Sequence, residues 1–259
     1  MKHIAKKRFG QNFLTDRGVI NSLVEAIAPQ ANDLMVEIGP GLGALTKPLL
    51  LALKKLHVVE VDRDIITWMN TEYLKPAYAQ ASINIHNADA LKFDFTSLGK
   101  GLRVTGNLPY NISTPILFHL LANISHITDM HFMLQKEVVE RMVAQPSTPA
   151  YGRLSVMLQY HLHMDYLITV PPTAFEPAPK VESAFVRCVP HATGPFIAKD
   201  EAVFAKVVLA AFSQRRKTLR NTLKGLLADD GFAALQIDSQ QRAENLSVAD
   251  FVAIANYLS

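Results

Sequence analysis

Three carboxylates and one amide stand at or just beyond short apolar runs, where a chain turns and a side chain can meet a ligand. Glu37 lies in the run 34–38, Glu60 near the end of 56–61, Asp89 just after 83–86 and Asn107 just after 103–106. A carboxylate at such a point can accept paired hydroxyls or an exocyclic amine. Glu37 opens the stretch Glu37-Ile38-Gly39-Pro40-Gly41-Leu42-Gly43, a glycine cluster whose backbone can turn sharply and approach a ligand closely. Asn107 opens Asn107-Leu108-Pro109-Tyr110. That corner combines a side-chain carbonyl, a main-chain carbonyl, a proline with no N–H to compete and a flat aromatic face.

The glycine cluster is the entry point for a nucleotide. Gly39-x-Gly41-x-x-Ala44 fits a loose dinucleotide fingerprint, which alone is weak. Glu37, two positions before the first glycine, makes the loop E-x-G-x-G-x-G, which resembles motif I of Rossmann-like methyltransferases and favours S-adenosylmethionine. Glu60 is placed to accept both ribose hydroxyls, and Asp89 the adenine amino group. The plain alternative is a tight turn followed by solvated acids.

The Asn107 corner suits an exocyclic amine. The lone pair of an adenine amino group is delocalised into the ring, so the nitrogen is a poor nucleophile. Carbonyls from Asn107 and Leu108 that each accept one N–H draw it toward tetrahedral geometry and free the lone pair. Pro109 stiffens the turn, and Tyr110 offers a face for a flipped-out base. The tetrapeptide resembles motif IV of amino-methylating enzymes, with Leu108 in place of a first proline. Read alone, it is equally an ordinary proline turn with a half-buried tyrosine.

These residues need a scaffold that gathers the ends of strands. Short apolar runs alternate with helical spacing from 16 to 144: helices at 16–28, 44–53, 63–73, 114–122 and 137–144, strands at 34–38, 56–61, 83–86, 103–106 and 130–134. That alternation implies a parallel, doubly wound sheet, in which ligands bind beyond the carboxyl ends of the strands. Runs 154–170 and 183–189 read as later strands around the proline-rich loop 171–180. The stretch 190–195 (PHATGP) reads as a linker, and beyond it the pattern is helical over 200–212, 213–228, 231–236 and 247–258. The expected organisation is an α/β catalytic domain over 1–189, the linker, and a small all-helical domain over 196–259.

Composition narrows the class. Of 259 residues, 49% are hydrophobic and 19% charged, which excludes a disordered chain. The single cysteine, Cys188, excludes a disulfide framework or a cysteine-based zinc site, and its apolar setting (FVRCV) reads as packing. The nine histidines show no metal spacing, so no metal is expected. The basic N-terminus has no long apolar stretch after it, and the longest uncharged run is broken by Pro109 and Pro115. Neither a secretory signal nor a membrane span is expected, and the location expected is cytoplasmic. The net charge is only +3, but it is unevenly placed. Lys2, Lys6, Lys7, Arg8 and Arg17 gather at the start, and Arg215, Arg216, Lys217, Arg220 and Lys224 form a run without acids. Two basic segments on a mildly acidic body suit a polyanion, or are simply solvated faces.

Six stretches in order make the reading specific: Arg8–Leu14 (RFGQNFL), Glu37–Gly43, Asn107–Ser113 (NLPYNIS), Leu134–Val138 (LQKEV), Phe175–Ser183 (FEPAPKVES) and Phe212–Asn221 (FSQRRKTLRN). Together they resemble the ribosomal RNA small-subunit adenine N6,N6-dimethyltransferases over nearly the whole chain. The resemblance implies a Rossmann-like, S-adenosylmethionine-dependent methyltransferase fold with a helical C-terminal domain. It also implies transfer of two methyl groups to each of two adjacent adenosines in the 3′-terminal hairpin of 16S rRNA. The partners implied are 16S rRNA and the pre-30S subunit, met by a monomer without metal or membrane.

The resemblance assigns roles residue by residue. Asn12 and Leu14 close over S-adenosylmethionine, and Gly39, in one loop with Gly41, lines its methionine end. Glu60 takes the ribose and Asp89 the adenine. Asn107 serves both cofactor and target amine, and Leu108, Pro109 and Tyr110 complete the corner. Phe175 stacks on the target base opposite Tyr110, although a phenylalanine in a proline-rich loop is also an ordinary hydrophobic plug. Lys6, Lys7 and Arg8, with Arg215, Arg216, Lys217 and Arg220 on a basic helix over 214–224, contact phosphates. Three alternatives stand beside this reading: a large-subunit rRNA adenine methyltransferase, a non-catalytic ribosome-assembly or transcription factor on a methyltransferase scaffold, and a NAD-dependent oxidoreductase.

Overall fold

The protein is described by a computed structural model that covers residues 11–79, 81–194 and 196–259. It forms two compact units, one of Met1–Val139 with Asp165–Pro190, the other of Glu140–Met164 with His191–Ser259. The expected boundary in 190–195 therefore marks only one of the crossings, because Glu140–Met164 goes with the C-terminal unit.

The first unit begins with β1 (Phe13–Leu14) and α1 (Arg17–Ile27). It continues with β2 (Leu34–Ile38), α2 (Thr46–Ala52), β3 (Lys55–Glu60), α3 (Arg63–Glu72), β4 (Ser82–Asn87), β5 (Leu102–Asn107), α4 (Ser113–Leu121) and β6 (Ile127–Gln135). After α5 (Lys136–Val143) and α6 (Arg153–Gln159) come β7 (Leu162–Val170), β8 (Phe175–Glu176) and β9 (Ser183–Pro190). The main sheet has the order β4-β3-β2-β5-β6-β9-β7, and β1 pairs separately with β8. The pairs from β4 to β6 are all parallel. β9 runs antiparallel to β6, so the sheet is mixed and not wholly parallel as its first half led us to expect. The chain builds outward from β2 to β4, then returns to build outward from β5 to β6. That reversal places a crevice between the carboxyl ends of β2 and β5.

Local chemistry accounts for the elements that hold this crevice. Asp16 caps α1 by accepting from the Val19 N–H, and Ala28 in the left-handed region ends the helix. Arg103 on β5 ties the end of α1 to the sheet: its Nη2 donates to the Ile27 carbonyl and its Nε to Asp129 of β6. β2 is buried along nearly its whole length, as a strand flanked by parallel neighbours must be.

The second unit contains α6, α7 (Glu201–Ala211), α8 (Leu219–Thr222), α9 (Asp229–Ala234) and α10 (Val248–Leu258). Their apolar faces share a core that includes Val156, Phe204, Val208, Leu219, Leu223 and Phe251. Two expectations are corrected here. Residues 153–159 are helical, not the start of a strand, although Leu154, Val156 and Leu158 are buried in alternation: the Gly152 N–H donates to Ser155 Oγ, half of a capping box, and the N–H groups of Val156 and Tyr160 donate four residues back to the carbonyls of Gly152 and Val156. The basic helix expected over 213–228 is instead a series of turns followed by the four-residue α8. The N–H groups of Leu219 and Arg220 donate to the carbonyls of Gln241 and Ser239, and Gly225 has φ +84°, so a continuous helix cannot run through the segment. Among the described residues no helix is long and apolar enough to cross a membrane.

Candidate active site

A cavity of about 320 Å³ lies at the reversal of strand order. This is at the lower end of the roughly 300–1,000 Å³ of small-molecule sites. Its walls include Asn12, Leu14, Gly39, Gly41, Glu60, Asp89 and the whole Asn107–Tyr110 corner. Ten residues proposed from sequence, drawn from segments far apart along the chain, therefore face one space.

The glycine loop forms the floor between β2 and α2. Gly39, Gly41 and Gly43 all have positive φ. At Gly41 a Cβ would also come within 3.0 Å of the Phe13 ring, so a side chain there would be strained by conformation and crowded by the ring. Gly106, which the sequence reading passed over, matters for the same reason. A Cβ there would lie 2.4 Å from the Ile38 carbonyl, so the close approach of β5 to β2 at the crevice depends on it. A glycine inside a strand pattern is the signal that points to such an approach.

The two proposed cofactor carboxylates differ in setting. Glu60 is 7% exposed, and its Oε1 accepts from the N–H groups of Val61 and Asp62, both at 2.8 Å. Burial raises its pKa above the ordinary carboxylate range, and those two N–H bonds oppose the rise. Asp89 is exposed at the cavity, and its Oδ1 takes the Leu91 N–H, which fixes the side chain in a turn. Glu37 is buried beneath the loop, accepts from Thr46 Oγ1 at 2.6 Å, and has its pKa pushed up by burial to about 7.

The segment Gln11–Leu14 straps the cavity, latched at several points. Gln11 Nε2 donates to Oδ2 of Asp62, a buried carboxylate that also caps α3. Phe13 packs over Gly41, and Phe13–Leu14 pairs with Phe175–Glu176. Asn107 Nδ2 donates to the Asn12 carbonyl at 3.0 Å. Asp62 and Gln11 were not singled out from sequence as site residues, since the bond between them joins positions 51 apart.

The corner itself is held by its neighbours. The Leu108 N–H donates to the Met133 carbonyl of β6, and the Ile112 N–H to the Pro109 carbonyl. No described group donates to the Leu108 carbonyl. Tyr110 is half-buried along the cavity, and its hydroxyl lies 2.8 Å from Ser183 Oγ. Phe175 stands elsewhere. It is 5% exposed, pairs with Leu14 and belongs to the apolar core of the first unit, outside the cavity lining.

Cys188 is fully buried, and Trp68 is half-buried beside Tyr73 and Lys47. Of the basic residues, Lys6, Lys7 and Arg8 lie outside the described residues. Arg215, Arg216, Lys217 and Arg220 are all exposed. Arg215 donates to the Pro149 carbonyl, and Arg220 pairs with Asp229 at 2.6 Å.

Residues 2–259 match the family described as Ribosomal RNA adenine dimethylase. The chain is 70% identical over 259 residues to a protein of Methylobacillus flagellatus named Ribosomal RNA small subunit methyltransferase A, covering 100% of both. It is 60% identical to the protein of the same name from Thiobacillus denitrificans, covering 99% of each. In fold it is similar to a dimethyladenosine transferase from Plasmodium falciparum, with TM-score 0.79 and 24% identity over 93% of this chain and 95% of that one. It is also similar to the 23S rRNA methyltransferase ErmE, with TM-score 0.76 and 19% identity over 95% and 99%. Its α/β unit is thus a Rossmann-like methyltransferase sheet, followed by a helical C-terminal part. The chain belongs to the ribosomal RNA adenine dimethylase family of S-adenosylmethionine-dependent methyltransferases.

Proposed function

We propose that this protein dimethylates N6 of two adjacent adenosines in the 3′-terminal hairpin of 16S rRNA, acting in the cytoplasm as a monomer on the assembling small subunit. The observation that carries this reading is the orientation of Asn107. Its amide nitrogen is given to the Asn12 carbonyl, so its oxygen is the end left to accept, next to a Leu108 carbonyl that no described group uses. Two acceptors at one corner match the two N–H bonds of an adenine amine.

The residues present fit the methyl donor. The positive-φ glycines leave the loop without side chains over the floor of the cavity, and Glu60 and Asp89 supply fixed carboxylate oxygens to hydroxyls and an amine. When bound there, S-adenosylmethionine supplies an electrophilic sulfonium methyl. The protein's own work is positioning. Asn107 and Leu108 accept the amine's N–H bonds and localise its lone pair, Tyr110 stacks on the base, and the strap excludes water. No strong base is required, because the methylated ammonium product is acidic and releases its proton to water. Arg215, Arg216, Lys217 and Arg220, with Lys6, Lys7 and Arg8, contact RNA phosphates. Phe175 reaches the base only if β8 and β1 rearrange, so its stacking role requires movement of the strap.

The test is transfer of tritium from labelled S-adenosylmethionine to small subunits that lack the modification, with mature subunits as control. Incorporation approaching four methyl groups per unmodified subunit, and none into mature ones, is expected. Equal labelling of both would overturn the assignment of target.

A further inference from the structure

One buried side chain touches the proposed base platform without lining the cavity. Ser183 is the first residue of β9 and is completely buried. Its hydroxyl lies 2.8 Å from the Tyr110 hydroxyl, and among the described residues it has no other side-chain partner. Its place is fixed on both sides. It pairs with Gln135 of β6, and the preceding Glu182 accepts the Lys136 N–H on its carbonyl and Lys136 Nζ on its carboxylate. Tyr110 is held at its other end, where its carbonyl accepts from Ser113 Oγ. The ring is therefore anchored at the backbone by α4 and at the hydroxyl by β9.

We infer that Ser183 is a positioning residue for methyl transfer: its bond to the Tyr110 hydroxyl sets the plane of the ring on which the target base stacks. This deepens the proposed function and rests on Tyr110 being the stacking face. A stacking platform works by offering a face whose orientation needs no further ordering when the base arrives. Without the anchor the ring can turn about its side-chain torsions, and part of the stacking gain is lost to reordering it. Burial holds the phenol above its ordinary pKa, so it stays protonated and the pair always has a proton to share.

The experiment measures methyl transfer to unmodified small subunits in single-turnover assays at saturating S-adenosylmethionine, over a range of subunit concentrations. The full-length variants are Ser183→Ala, Tyr110→Phe, the double variant, Ser183→Thr and Tyr110→Ala. Thermal unfolding and S-adenosylmethionine affinity are recorded for each. Ser183→Ala and Tyr110→Phe are expected each to raise the half-saturating subunit concentration by roughly 2–10-fold, the range of one hydrogen bond. The double variant should be no worse than either single one, Thr should restore the wild-type value, and cofactor affinity should be unchanged. Tyr110→Phe keeps the ring and the serine, so it gives an answer even if Ser183→Ala unfolds. Additive losses in the double variant, or a wild-type response from Tyr110→Phe while Tyr110→Ala is crippled, would overturn the role of Ser183 and leave the stacking reading standing. Wild-type transfer by Tyr110→Ala would instead remove the stacking role itself.

Discussion

The Asn107 side-chain amide donates to the main-chain carbonyl of Asn12 at 3.0 Å, a bond between positions 95 apart. It joins the strap that covers the cavity to the acceptor at the end of β5. Because an amide has one donor end and one acceptor end, the bond also decides which end remains for a ligand. Closing the strap and aiming the Asn107 oxygen are thus one event.

Asn107→Ala should remove turnover and spare RNA binding. On the proposed reading, the amine it polarises appears only when a base is flipped in, and RNA affinity comes from basic residues, of which the described ones do not line the cavity. An interaction realised mainly in the transition state lowers rate more than affinity. Single-turnover methylation at saturating cofactor should fall by about 100–1,000-fold. Subunit affinity should remain within a few-fold of wild type. A wild-type rate would remove the catalytic reading of the corner.

Cofactor binding should depend on Glu60. Its carboxylate is buried and pre-oriented by two N–H bonds from its own chain, so little ordering is left when hydroxyls bind. Glu60→Ala should weaken S-adenosylmethionine binding by roughly 1.5–3 kcal/mol, the range of hydrogen bonds to a charged group. Calorimetry that found unchanged affinity would exclude this contact.

The legibility of the site followed a physical boundary. Glu60, Asp89 and Asn107 could be placed from sequence because each closes an apolar run, and in a parallel sheet the ends of such runs gather at one edge. What the sequence did not reveal depends on contacts between distant segments. Gln11 and Asp62 meet only after the strap folds over, and the burial of Phe175 follows from its pairing with Leu14. The segment 153–159 has an apolar content that suits strand or helix, and the bond between Gly152 and Ser155 decides for helix. The basic run 213–224 looks helical by composition, but the loop 239–241 captures its N–H groups.

Glu37 should make stability depend on pH. Burial raises its pKa in the folded protein from 4.5 to about 7. The folded state therefore binds more protons than the unfolded state between those values, and stability from this group is lost as pH rises through that window. Below pH 4.5 the carboxyl is protonated in both states, and above 7 it is ionised in both, with the burial penalty at its full value of at most about 3 kcal/mol. Glu37→Gln cannot ionise and can still accept from Thr46. Compared with wild type, the variant should gain in melting temperature between pH 5 and pH 8. A difference that stayed constant across that range would mean that Glu37 does not titrate there.

The exposed basic residues of the C-terminal unit should contribute unequally to RNA binding, because some are already engaged. Arg220 pairs with Asp229, and the two side chains are 57% and 65% exposed. A phosphate at Arg220 must compete with that carboxylate. Arg215 gives one N–H to the Pro149 carbonyl, which orients the guanidinium and leaves its charge uncompensated. Arg216 and Lys217 are exposed and have no acidic partner among the described residues. Each phosphate contact that is lost lowers the slope of log affinity against log salt by about 0.7–0.9. The pair Arg215→Ala with Arg216→Ala should therefore flatten the salt dependence of subunit binding by nearly two such steps, and Arg220→Ala alone by less than one. Asp229→Ala should act in the opposite direction, because it frees Arg220 and removes a negative charge from the same surface, so it should tighten binding and steepen the slope. Cofactor affinity should not change in any of these variants, since none of these residues lines the cavity. Salt titrations of subunit binding would decide: a slope unchanged in the Arg215→Ala, Arg216→Ala protein would leave this surface as solvated charge without a role in holding RNA.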